Sequence, residues 1–260
     1  MKHFTSQVDG FNAQLEEITV CHNYLKQSKE FRSIIFPLIK WDLADIEQKE
    51  TINKHLKKDL PPKTLLNSFF ITTSACYEHF LRNVLMATIA AIDKKTEHYN
   101  DLTLKLRNKH LQSTGSLISN HASPPAFMKL DYKKLCENIA TCYDGSIKFN
   151  LNPEIALFPK GLVGLESFFS FLELCEITIN FEVLAKDEAI KKFLEPLTVK
   201  EREKELKRLH EELLRLRNTI SHSGLENADL STQILETYIN LLKVESLSIC
   251  EIIEAYLNKS

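Results

Sequence analysis

Residues 198–222 read TVKEREKELKRLHEELLRLRNTISH, and within them Leu206, Leu209, Leu213, Leu216 and Ile220 follow one another at steps of three, four, three and four. That spacing lines one side of an α-helix, and the positions between are mostly charged. The stretch is therefore a core-facing stripe with a solvated back. Gly224 lies just past it, where a left-handed residue stops a helix. Asp229 and Ser231 then offer caps for a last helix running to about Leu257. Its apolar positions include Ile234, Tyr238, Leu241, Leu242, Val244, Leu247 and Ile252.

Upstream, Pro61-Pro62 punctuates the chain just before a segment from Lys63 to Ile92 that is long, apolar and almost free of helix breakers. Proline is welcome at a helix start, and this segment is expected to be a central helix buried on several sides. Residues 4 to about 28 carry Val8, Phe11, Leu15, Ile18 and Leu25 at helical spacing. A second helical stretch to about Lys58 is expected to be bent or restarted near Pro37. Residues 94–128 are the least regular, with a short helix over Asp101–Leu111. Another helix is expected over Lys129–Tyr143, a loop over Asp144–Gly161 and a helix over Leu165–Leu184. The predicted fold is all-α, a helical bundle of five or more long helices with one interrupting loop region. Residues 1–60 form a helical extension and 61–260 the bundle domain.

Composition agrees. Only 6 glycines and 8 prolines in 260 residues are too few for the tight turns of an all-β fold. The net charge of -2 argues against a protein that coats long duplexes. Lys94–Lys134, however, holds a local excess of +5, read either as a local nucleic-acid contact or as a solvated basic loop. The six cysteines form no CxxC pair and read as buried free thiols of a reducing cytosol. The first residues show no apolar leader, and no run long enough to span a bilayer occurs, so a cytoplasmic protein without membrane contact is expected.

The chemistry gathers at the end of the stripe helix. At about 100° per residue, Arg217 falls beside the apolar stripe, Asn218 and His222 lie farther round near one another, and Ser221 falls between. A histidine near its ordinary pKa gives or takes protons at physiological pH. An arginine fork holds a phosphate and stabilises charge on its oxygens. RNA brings its own nucleophile, the 2′-hydroxyl, so a protein need only position, deprotonate and neutralise. Glu78, in the apolar central helix, needs a partner: it either reaches Arg217 or His222, or pairs with Arg82 one turn on. Its neighbour His79 is read as sharing that buried setting. His110 and His121 show no metal-like spacing, Trp41 is read as packing, and no Gly-rich phosphate loop, GxSxG or HExxH occurs. No metal and no cofactor are expected.

The run Arg217-Asn218-Thr219-Ile220-Ser221-His222-Ser223-Gly224 closely resembles the signature of the HEPN superfamily: Arg, a polar residue, then His, commonly followed by Gly. Here Ser223 intervenes before the glycine, which concerns the turn and not the chemistry. The run Ser74–Arg82 is similar to the central helix of the RiboL-PSP-like HEPN branch, and the resemblance covers roughly Leu65 to Leu257. It implies a metal-independent endoribonuclease acting as a homodimer with a composite site, and a toxin or antiviral defence effector held by an antitoxin or regulatory partner. Arg217 would polarise the scissile phosphate and His222 would act as acid or base, supported by Asn218, Ser221 and Glu78. Two rival readings stand beside it: a non-catalytic HEPN-like module binding nucleotide, RNA or protein, and a plain helical interaction protein.

Overall fold

The computed structural model describes residues 3–38, 62–119, 130–144, 148–157, 161–223 and 230–259. Among them are nine α-helices and no strand: α1 (Thr5–Leu38), α2 (Pro62–Lys95), α3 (Leu104–Ser119), α4 (Tyr132–Thr141), α5 (Glu166–Leu174), α6 (Phe181–Ala185), α7 (Glu188–Phe193), α8 (Val199–Ser223) and α9 (Thr232–Lys259). The fold is an all-α bundle, and no helix among the described residues is long and apolar enough to cross a membrane. Trp41, His121, Gly224, Asp229, Pro61 and the stretch read as helical to Lys58 lie outside the described residues.

Helix α2 is the axis of the bundle. Its Tyr77, Phe80, Leu81, Val84, Leu85 and Ile89 are buried, as the apolar run requires. Phe11 of α1 stacks on Phe80 with ring centroids 4.8 Å apart. Tyr238 of α9 meets Phe70 edge-on at 5.6 Å. The stripe of α8 is buried along its whole length, from Leu206 to Ile220. The Ser231 hydroxyl accepts from the Ile234 amide at 3.2 Å and so caps α9.

Three sequence expectations are corrected. The first helix is one continuous element through Pro37 to Leu38, not two. Helix α3 runs on through Ser113-Thr114-Gly115 to Ser119, because Ser113, Thr114 and Leu117 are buried on one face and hold it in place. The expected helix over Leu165–Leu184 is broken between α5 and α6. Glu176 adopts a left-handed backbone (φ 61°) and the Ile177 amide turns back to the Leu172 carbonyl at 3.0 Å, a stop that apolar spacing does not reveal. Asn180 then caps α6 through the Val183 amide at 2.9 Å.

His110, read as part of an irregular basic stretch, is instead fully buried. Its Nε2 accepts the Asn152 amide at 2.9 Å, so the ring is neutral with its proton on Nδ1. The Asn152 side chain donates to Thr114 Oγ1 (3.2 Å) and the Leu135 carbonyl (3.1 Å) and accepts from Asn138 at 2.8 Å. One amide thus joins α3 and α4 to the segment 148–157. Burial pushes the His110 imidazole down to about 4. The unfolded chain therefore takes the proton first as pH falls, and the stabilisation is full above about 6.5 and lost on the way to 4. The window is worth about 3 kcal/mol. Denaturant unfolding at pH 7 and pH 4 checks it: wild type is expected to lose about 3 kcal/mol more than His110→Gln, and equal losses would exonerate the imidazole.

The cysteines also depart from expectation. All six are free, but only Cys142 and Cys250 are buried, while Cys21 and Cys136 are exposed, because they fall on the outer faces of α1 and α4.

Candidate active site

Helix α8 delivers Arg217 to the flank of α2. Its Nη2 donates to Glu78 Oε2 at 3.2 Å, while Arg82 Nη2 donates to the other oxygen, Oε1, at 2.8 Å. Arg82 Nη1 then donates to the Leu157 carbonyl at 2.6 Å. Two of the three partners read for Glu78, Arg217 and Arg82, are therefore present at once, and one carboxylate is shared by two guanidinium groups. That leaves a local surplus of one positive charge. Glu78 and Arg82 are mostly enclosed, whereas Arg217 is 35% exposed. Its Nη1 approaches Asn218 Oδ1 at 3.5 Å, the limit of a hydrogen bond. The fork is oriented from below and open above.

Asn218, Ser221 and His222 are exposed, while Leu216 and Ile220 are buried, so the polar face flanks the core stripe at the end of α8. Among the described residues, neither Ser221 nor His222 makes a side-chain hydrogen bond or ion pair, and Glu78 reaches Arg217 but not His222. His79, read as sharing the buried setting of Glu78, is exposed, because it is the next residue round on a helix whose core side carries Tyr77 and Phe80. No three His, Cys, Asp or Glu side chains among the described residues gather to hold a metal ion.

Directly beneath this site is a buried cluster that the sequence reading missed. His210 Nε2 lies 2.9 and 3.0 Å from the two oxygens of Glu245, and Nδ1 lies 2.8 Å from the Val163 carbonyl. The Tyr77 hydroxyl donates to Glu245 Oε2 at 2.6 Å. Tyr77, Glu245 and His210 are all sealed from solvent. Burial lowers the His210 pKa, but the Glu245 charge, its hydrogen bond and the Val163 carbonyl outweigh this and the net direction is up. Burial first, then Glu245, drives Tyr77 far up and keeps it a neutral donor. Tyr77 precedes Glu78 on α2, and His210 lies two turns before Arg217 on α8, so the cluster fixes both backbones that carry the surface pair. A signal was available: His210 sits four residues after Leu206 and three before Leu213, and Glu245 four before Ile249, each in an apolar register.

The RiboL-PSP-HEPN family profile matches residues 38–255, from the last residue of α1 to within the last turn or so of α9. No curated protein and no solved structure matches the chain. The profile covers most of the sequence, including both residues of the Glu78–Arg217 pair and the whole polar end of α8, so this chain belongs to the RiboL-PSP-HEPN family.

Proposed function

We propose that this chain is a metal-independent endoribonuclease in which Arg217 and His222 act on one ribose–phosphate linkage. The 2′-oxygen attacks phosphorus and gives its proton to a neutral imidazole. The bond to the 5′-oxygen breaks, and that oxygen takes a proton from an imidazolium, leaving a 2′,3′-cyclic phosphate and a 5′-hydroxyl. Arg217 neutralises charge on the non-bridging oxygens, with Asn218 and Ser221 at hand for further hydrogen bonds. Glu78 is a positioning residue that aims the guanidinium. One copy supplies a single His222, so the two proton transfers assign the second imidazole to another copy in a homodimer with α8 facing α8 across a shared cleft. The cellular role we assign is a cytoplasmic toxin or antiviral effector restrained by an antitoxin or regulatory partner.

The observation that carries this reading is the half-open Arg217 fork, held from below by a carboxylate already shared with Arg82, at the same end of α8 as an exposed His222 imidazole that has no side-chain partner among the described residues. Purified protein incubated with mixed RNA in EDTA is expected to give fragments with cyclic phosphate ends. Intact RNA under those conditions, or cleavage that needs added Mg²⁺, removes the proposal.

A further inference from the structure

A second feature, away from Arg217, has no part in the chemistry above. Where α2 ends and α3 begins, a cleft of about 360 Å³ opens between Tyr99, Arg107, Asn108, Tyr143 and Phe149, a size at the lower end of small-ligand sites. Its floor is aromatic: Tyr99 meets Phe149 at 5.6 Å and Tyr143 at 5.9 Å, ring edge to ring face. Tyr143 leaves 65% of its surface in water, an unusual place for a large ring. The Arg107 guanidinium lies over Tyr99, 5.9 Å from the ring centroid, held by Asn100 Oδ1 at 2.6 Å from Nη1. Arg107 has no carboxylate partner among the described residues, and its buried Nε has no hydrogen-bond acceptor. Glu97 and Asp144 stand on the lining too. Their charge disfavours a phosphate inside the cleft and suits the amino and imino donors of a base.

The position of the cleft relative to Arg217 follows from α2. Asp93 Oδ1 accepts the Leu151 amide at 2.8 Å, and Arg82 donates to the Leu157 carbonyl. Residues 82 and 93 are eleven apart, three turns, so they share one face of α2 about 16 Å apart. The segment 148–157 thus runs along that face from the cleft wall at Phe149 to the Glu78–Arg82–Arg217 cluster. Lys94, Lys95 and Lys105 are exposed and lie within three residues in sequence of the lining residues Glu97 and Leu104.

We infer that this cleft takes one unstacked nucleobase of a single-stranded RNA whose backbone runs along residues 148–157 toward Arg217. Tyr143 is the stacking face, Arg107 donates to base acceptors and the exposed lysines of the same sequence stretch meet the flanking phosphates. The inference rests on the ribonuclease reading for the direction of the strand, not for the cleft itself.

The test uses wild-type protein and a labelled single-stranded RNA oligonucleotide of mixed sequence with 2′-O-methyl riboses, which lacks the nucleophile and stays intact during titration. Tyr143→Leu is expected to weaken binding about ten-fold, and Arg107→Met by a similar factor, whereas Tyr143→Phe keeps the ring and the affinity. A duplex of the same sequence is expected to be indifferent to all three. Affinity for the single strand unchanged in Tyr143→Leu and Arg107→Met overturns the inference. Tyr143-dependent binding of free adenosine or guanosine monophosphate that is tighter than binding of the oligonucleotide assigns the cleft to a free nucleotide and overturns the strand. The two readings fail separately. Tyr143-dependent binding without cleavage in EDTA removes the ribonuclease and keeps the cleft, and cleavage with Tyr143-independent binding does the reverse.

Discussion

Alanine at His222 is expected to lower single-turnover RNA cleavage about a thousand-fold, the size of a lost general acid or base. Arg217→Ala is expected to cost about a hundred-fold or more through lost charge stabilisation. Arg217→Lys should rescue little of it, because a point charge does not reproduce a two-pronged fork. Glu78→Gln leaves both arginines in place and loosens only the aim of one, so its effect is expected to be several-fold, on the rate at saturation and not on substrate affinity. His222 makes no side-chain hydrogen bond or ion pair among the described residues and is exposed, so its substitution should leave stability within about 0.5 kcal/mol of wild type. Cleavage rates of folded protein decide the matter. If His222→Ala and Arg217→Ala cut RNA as fast as wild type, the chemistry lies elsewhere.

The second large effect concerns stability. Glu245→Ala removes the acceptor of both His210 and Tyr77 in a sealed site, and breaking a buried pair from one side costs about 3–5 kcal/mol. At this chain length that corresponds to a fall of about 10 °C in Tm. Glu245→Gln keeps an acceptor for Tyr77 and is expected to lose about half as much. The pH dependence has a definite sign. The His210 pKa is raised by folding, so its contribution is complete below the unfolded value of about 6.5 and is lost as pH rises through the higher folded value. The gap between wild type and Glu245→Ala is therefore expected to narrow in alkaline buffer, as thermal unfolding across that range would show. A gap that stays constant there would mean the imidazole is already neutral in the folded protein.

The long elements were legible in the sequence because their apolar spacing persists over many turns. The α8 stripe from Leu206 to Ile220 and the run from Leu66 to Ile92 each leave one helical reading. The polar end of α8 was legible too, since Arg217, Asn218 and His222 follow one another along a single helix. Long-range pairs were not. Glu78 had three acceptable partners at the level of sequence, and the structure uses two of them, Arg82 and Arg217, together, a solution that requires α8 to cross α2 at that turn. His210 and Glu245 were hidden because each looks like a polar interruption of an apolar face until the two faces are brought together. The break at Glu176 was hidden because a left-handed turn at a glutamate leaves no mark in composition. His110 was misplaced because the basic residues around it suggested surface, while the ring itself turns inward to Asn152.

Asn152 uses its amide and both ends of its side chain on α3, α4 and His110, and so anchors the middle of the segment 148–157 to the core. With Leu151 tied to Asp93 and Leu157 to Arg82, that segment behaves as a beam clamped at several points and not as a loop. Tied near both ends to the same face of α2, it is a spacer between the aromatic cleft and the Arg217 fork.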